Sequence, residues 1–153
     1  MDYQKILEEI EKETAPLAGK GRVADYIPEL AKVNPEHFGV SLYMLDGNRF
    51  QVGDSGMKFS IQSIAKVFSL SMAIGLLGET IFKRVGVEPS GTSFNSLLQL
   101  DYEQGIPRNP FINAGALVIV DILLSELQHP KREILQYVRK LAGNRDIGFN
   151  EVV

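Results

Sequence analysis

The stretch Phe59-Ser60-Ile61-Gln62-Ser63-Ile64-Ala65-Lys66-Val67-Phe68 decides how the rest of this chain is read. It predicts a short extended segment running into an apolar helix that continues to about Leu77. Ser63 and Lys66 form a Ser-x-x-Lys pair at the start of that helix. Their spacing is nearly one helical turn, so both side chains share a face within reach of each other. A hydroxyl becomes a competent nucleophile when a neighbouring base takes its proton, and an uncharged lysine amine is such a base. Burial and the positive end of the helix dipole both disfavour the ammonium form, so this position favours a neutral Lys66. The Ser63 backbone N–H at the helix start points outward, where it can hold a developing oxyanion. The pattern suits serine acyl transfer, although a capping serine followed by a solvated lysine looks the same over four residues. Val67, Phe68, Leu70, Ile74 and Leu77 weigh toward chemistry. They make the helix apolar over a wide arc, which predicts a central, buried helix and a lysine withdrawn from bulk water.

The 153 residues fit one domain long enough to bury a core. Hydrophobic residues at 44% and charged residues at 23% are ordinary globular values, so no fibrous or disordered class is indicated. A net charge of -3 gives no electrostatic reason to bind nucleic acid or an anionic membrane. With no cysteine, disulfides, thiol chemistry and thiolate metal sites are excluded. Asp2, Lys5, Glu8 and Glu9 do not fit a signal peptide. The apolar stretches Ile64–Leu77 and Phe111–Leu127 are interrupted by Lys66 and by Asn113 and Asp121, so neither reads as a membrane span. A cytoplasmic setting is expected.

Working outward to the N-terminus, Tyr3, Ile6, Leu7 and Ile10 fall at helical spacing and predict an amphipathic helix ending near Thr14. Pro16, Gly19 and Gly21 mark a loop, and Pro28 opens a short helix. Phe38–Leu45 and Arg49–Val52 read as strands joined across Asp46-Gly47, a strong hairpin signal. Towards the C-terminus, Gly78 ends the central helix and Glu79–Val85 forms a second, short one. Glu88–Thr92 is a turn, Ser93–Leu100 fits either helix or extended chain, and Asp101–Pro110 is an irregular loop. An apolar helix follows from about Asn113 to Leu127, with Asn113 as its natural N-cap. Pro130 starts a last amphipathic helix through Ala142, ended by Gly143. Asn150 looks like the cap of a further helix. Residues 1–60 thus form a helix and β-hairpin, and residues 61–153 a mostly helical part.

Four segments, in order, resemble the serine-dependent glutaminase family. They are Val23-Ala24-Asp25-Tyr26-Ile27-Pro28-Glu29-Leu30-Ala31, the opening stretch, Glu88-Pro89-Ser90-Gly91-Thr92-Ser93-Phe94-Asn95 and Pro110-Phe111-Ile112-Asn113-Ala114-Gly115-Ala116. The likeness runs from about Gly19 to the C-terminus. It implies an α/β (α+β) fold of the serine β-lactamase type, with an antiparallel sheet packed by helices beside a helical domain. It implies hydrolysis of L-glutamine to L-glutamate and ammonia without a cofactor or metal. By position, Ser63 would be the nucleophile that forms a glutamyl ester and Lys66 its base. Gln62 would sit beside the substrate, Asn113 would hydrogen-bond it, and Tyr26 would line the pocket and aid proton transfer. Family members commonly form dimers or tetramers, so a homo-oligomer is implied.

Family members are also considerably longer. The glutamate that meets the substrate ammonium, a second asparagine, two further tyrosines and an oxyanion-hole residue belong to the part that follows. The same holds for the later strands, so the sheet is expected to be incomplete here. The resemblance therefore implies that the chain is the N-terminal part of a glutaminase domain, and it is expected to be incomplete as a catalyst on its own. Without the resemblance, Tyr26 reads as a half-buried tyrosine and Asp121 as a helix-surface or interhelical partner. His37 and His129 pair with no serine and carboxylate. Two other functions compete. A β-lactamase-like acyl-serine hydrolase would expect export and a Lys-Thr-Gly-type segment, which does not occur. A non-catalytic association module would assemble without turnover.

Overall fold

The computed structural model describes residues 1–91, 100 and 103–152. The chain folds as two compact units, Met1–Ser60 with Asn150–Val153, and Ile61–Phe149. In the first, helix α1 spans Tyr3–Thr14, and Asp2 caps it by accepting the Lys5 N–H at 3.1 Å. This satisfies one of the orphan donors of the first turn. Strands β1 (Gly39–Tyr43) and β2 (Arg49–Gly53) pair antiparallel, with Val40 opposite Val52 and Leu42 opposite Phe50. Alternation puts these four on one face of the ribbon. Leu7 and Val52 are buried, and the Tyr3 and Phe50 rings meet at 5.6 Å, so α1 covers that face. The turn takes more residues than the sequence pattern assigns to it. Met44 N–H donates to Asn48 O at 2.9 Å, and Gly47 supplies φ 89° at the tip, so the strands are shorter than Phe38–Leu45.

Gln51 lies in a pair whose backbone groups point away from β1. Its carbonyl accepts from Gln4 Nε2 at 3.1 Å and its N–H donates to Gln4 Oε1 at 3.3 Å. The side-chain amide of Gln4 thus behaves as a short piece of neighbouring strand along the outer edge of β2. Such edges otherwise present unpaired donors and acceptors. Among the described residues the sheet has only these two strands. The short helix α2, Pro28–Ala31, begins at the proline as predicted.

In the second unit a 3-10 turn, Gln62–Ile64, leads into helix α3, Ala65–Leu77. Gly78 closes α3 with φ 58°, and a 3-10 helix follows over Gly78–Lys83. The expected Glu79–Val85 helix is therefore tighter and shorter. Residues 92–99, which hold most of the ambiguous Ser93–Leu100 segment, lie outside the described residues. Helices α4 (Asn113–Glu126) and α5 (Pro130–Ala142) complete the unit, the latter ended by Gly143 in the left-handed conformation. Ala73, Ile81, Val85, Ile119, Ile122 and Leu123 form the core, with Leu70, Leu77, Val118 and Ile134 packed against it. Arg84 Nη2 donates to Asp121 Oδ2 at 2.7 Å, tying the 3-10 helix to α4 as an interhelical partner should.

Helix α3 is not buried all round. Val67 is 51% and Ile74 41% exposed, on the side turned away from Ala73. On α4, Leu117 and Leu124 are exposed at 70% and 59%. Helices apolar on every side normally lie inside a larger core, and here each has one face bare. The run Gln62–Lys83 is long and apolar enough to cross a membrane by composition alone. Gly78 breaks it, however, and Ala73 and Ile81 are buried in a protein core.

Candidate active site

Ser63 stands in the 3-10 turn rather than in the α-helix proper, and residues 58–61 form no strand ladder. Its side chain is exposed, and among the described residues Ser63 Oγ has no hydrogen-bond partner. The turn is entered through Gln62, whose φ of 45° is one of two positive values among the described non-glycine residues. For a residue with a Cβ this region is sparsely populated and costs of order 1–3 kcal/mol. The surrounding chain therefore holds Gln62, and with it the direction in which Ser63 leaves the backbone.

Lys66, in the first turn of α3, is half-buried. Its Nζ donates to Asn113 Oδ1 at 2.7 Å and to Phe111 O at 2.9 Å. The two oxygens fix Nζ on the side of α3 that faces the start of α4.

Asn113 is the first residue of α4, not its cap, and the cap position is Ile112, which makes no side-chain capping bond. The Asn113 amide oxygen is turned to Lys66 instead. The loop is held by Asn109, which the sequence reading passed over. Its Oδ1 accepts from Phe111 N–H at 3.0 Å and Ile112 N–H at 3.1 Å, and its Nδ2 donates to Glu88 O at 2.9 Å. The Asn109-Pro110 dipeptide carried the available signal, since Asn before Pro favours a turn built on its side chain. Gly115 is required next to it, because a Cβ there would overlap the Asn109 carbonyl oxygen and press on Pro110 Cα.

Within the second unit the fold brings together Gln62, Ser63, Lys66 and Asn113. Tyr26 belongs to the first unit, in a bend before α2, and is 75% exposed. A cavity of about 620 Å³ in the first unit is lined by Glu11, Leu17, Arg22, His37 and Asp54 among others, and Tyr26 is not part of it.

A serine in a strained turn, followed by a lysine anchored on a second helix, is the arrangement that the candidate site presents. Solved structures share the fold that carries it. The chain superposes on the probable glutaminase ybaS with TM-score 0.90 and 31% identity, over 98% of this chain and 48% of that one. A Bacillus glutaminase crystallised in 4.3 M NaCl gives TM-score 0.80 at 32% identity, over 99% and 48%. Among curated proteins, the glutaminase of Christiangramia forsetii is 57% identical over 153 residues, all of this chain and 50% of that protein. That of Pseudoalteromonas translucida is 51% identical over 99% of this chain and 50% of its own length. The glutaminase family matches residues 21–153. The chain belongs to the glutaminase family. It spans about half the length of the curated relatives it matches.

Proposed function

We propose that this chain is the nucleophile-bearing, N-terminal part of a glutaminase that hydrolyses L-glutamine to L-glutamate and ammonia. The observation that carries the reading is the double anchoring of Lys66 Nζ on Asn113 Oδ1 and Phe111 O, one turn after an exposed Ser63. The Lys66 amine takes the proton of Ser63 Oγ as the oxygen attacks the side-chain amide carbon. The carbonyl oxygen becomes anionic and is held by N–H donors, the Ser63 N–H among them. Collapse breaks the C–N bond, and a proton passes to the leaving nitrogen to give ammonia. Water then cleaves the γ-glutamyl ester and returns the proton to Ser63. Asn113 and Gln62 contact the substrate, and Tyr26 lines its pocket and assists proton transfer. No cofactor or metal is needed, because nucleophile and base are both side chains.

The bare faces of α3 and α4 and the two-stranded sheet support a division of labour in which the chain is inactive alone. We place it in the cytoplasm, as part of a homo-oligomer. The test is ammonia release from L-glutamine by the isolated chain and by the chain mixed with the remaining part of a relative's domain. Ser63→Ala is the control. Turnover only in the mixture, lost in Ser63→Ala, supports the whole reading. Turnover by the isolated chain would show that the missing part is dispensable. A mixture that folds and associates but never turns over glutamine would overturn the assigned function.

A further inference from the structure

We infer that Asn109 is a positioning residue for Lys66, acting as a clamp on the short segment that supplies both of the lysine's acceptors. The inference deepens the reading of Lys66 as the base and rests on it. Both Nζ partners, the Phe111 carbonyl and the Asn113 side chain, come from the loop that enters α4. No side chain at the cap position Ile112 ties down this helix start. The Asn109 amide does so from outside the helix. Its oxygen takes the N–H groups of Phe111 and Ile112, and its nitrogen binds the Glu88 carbonyl on a separate strand of chain.

Two neighbouring close approaches fix the same segment. Gly115 passes the Asn109 carbonyl so closely that no side chain fits. Gly86 lies against the backbone of Arg108, where a Cβ would come within 2.6 Å of the carbonyl oxygen. Gly86 N–H donates to Pro107 O at 2.7 Å and Glu88 N–H to Arg108 O at 2.9 Å, so residues 86–88 and 107–109 are stitched together. The clamp thus transmits the rigidity of this paired backbone to the oxygens at Phe111 and Asn113. A released segment would let both acceptors drift, and Lys66 with them. Small displacements of this kind are costly in a site that works by alignment.

The experiment reads Lys66 directly, by the 13C relaxation order parameter of its ε-carbon in the full chain, for the unaltered protein, Asn109→Ser and Asn109→Ala. Serine makes the same kind of turn more weakly, and alanine cannot make it. The expected result is a graded loss of order, from a held side chain with Asn109, through Asn109→Ser, to the value of an exposed lysine such as Lys58 with Asn109→Ala. A purely structural role would lower stability and leave the order of Lys66 unchanged in the folded variants, and that result overturns the inference. If Asn109→Ala does not fold, Asn109→Ser decides alone, by whether Lys66 loses order. Because the readout needs no turnover, an intact gradient beside a mixture with a relative's remaining part that folds but never turns over glutamine would sink the acyl-enzyme reading and keep the clamp. An absent gradient beside turnover in that mixture would sink the clamp and keep the acyl-enzyme reading.

Discussion

Lys66 and Asn113 are separated by 47 positions in the chain, yet the lysine Nζ and the amide oxygen meet at 2.7 Å. One lies in the first turn of α3 and the other in the first turn of α4. Packing of α3 on α4 through Ala73, Ile119 and Leu123 turns two unrelated helix starts into one polar site.

On the proposed reading of Lys66 as the base, this pairing makes Asn113 a lever on it. In a complete, active assembly, Lys66→Ala should lower the rate of ammonia release by about 10²–10⁴-fold, the range for loss of a general base. Asn113→Asp places a carboxylate against Nζ and should also slow turnover, because it holds the proton on the lysine. Steady-state ammonia release checks both; a near-normal rate in Lys66→Ala would remove Lys66 from the mechanism, and one in Asn113→Asp would remove the influence of Asn113 on it.

Stability should depend on which face of α4 is changed. Leu123 is fully buried, and Leu123→Ala should cost about 2–5 kcal/mol. Leu117 is 70% exposed, and Leu117→Ala should stay within about 0.5 kcal/mol. Urea unfolding followed by circular dichroism distinguishes them. Equal losses would mean that the bare face of α4 is covered in solution.

Gly115→Ala should destabilise by about 1–3 kcal/mol, as overpacking does where backbone cannot yield. The added Cβ meets the carbonyl of Asn109 rather than a flexible side-chain end. A shift in the urea midpoint checks this, with Gly148→Ala as a comparison, since nothing lies near a Cβ at that position.

Asp46 has its carboxyl held below the ordinary aspartate range by the Asn48 backbone N–H, and further by the Asn48 side chain. A lowered pKa means that the folded hairpin binds the proton less readily than the unfolded chain. Its contribution to stability is present above the ordinary aspartate range and is lost as pH falls through the lowered value. A carboxyl 13C titration should give an Asp46 midpoint below that of an unstructured peptide, and Asn48→Ala, which keeps the backbone N–H and removes the side-chain donor, should move it only part of the way back up.

Much of this fold was legible where local chemistry and tertiary structure agree. Helix α5 runs from Pro130 to the residue before Gly143, as the proline-in, glycine-out rule requires. The Asp46-Gly47 tip and the Tyr3–Thr14 helix follow from turn residues and apolar spacing in the same way. The site was legible in part. Ser63 and Lys66 share a local motif, but the left-handed Gln62 ahead of them has no signature, because only the assembled turn forces it. Asn113 looked like a cap because asparagine before an apolar run usually is one. Asn109 fixes the loop, and the Asn113 amide oxygen turns toward Lys66. The bare side of α3 was not legible at all. Apolar spacing states which faces require burial, and carries no information on whether the chain itself supplies the cover.

The Gln4 amide along β2 bears on how copies of this chain could join. Gln4 occupies the outward N–H and C=O of Gln51, so a strand added at that border has to displace the amide. Two copies meeting beside β1 instead would form a four-stranded sheet with a Gln4-covered pair near each border. From a position outside the sheet, the residue thus disfavours growth beyond such a pair.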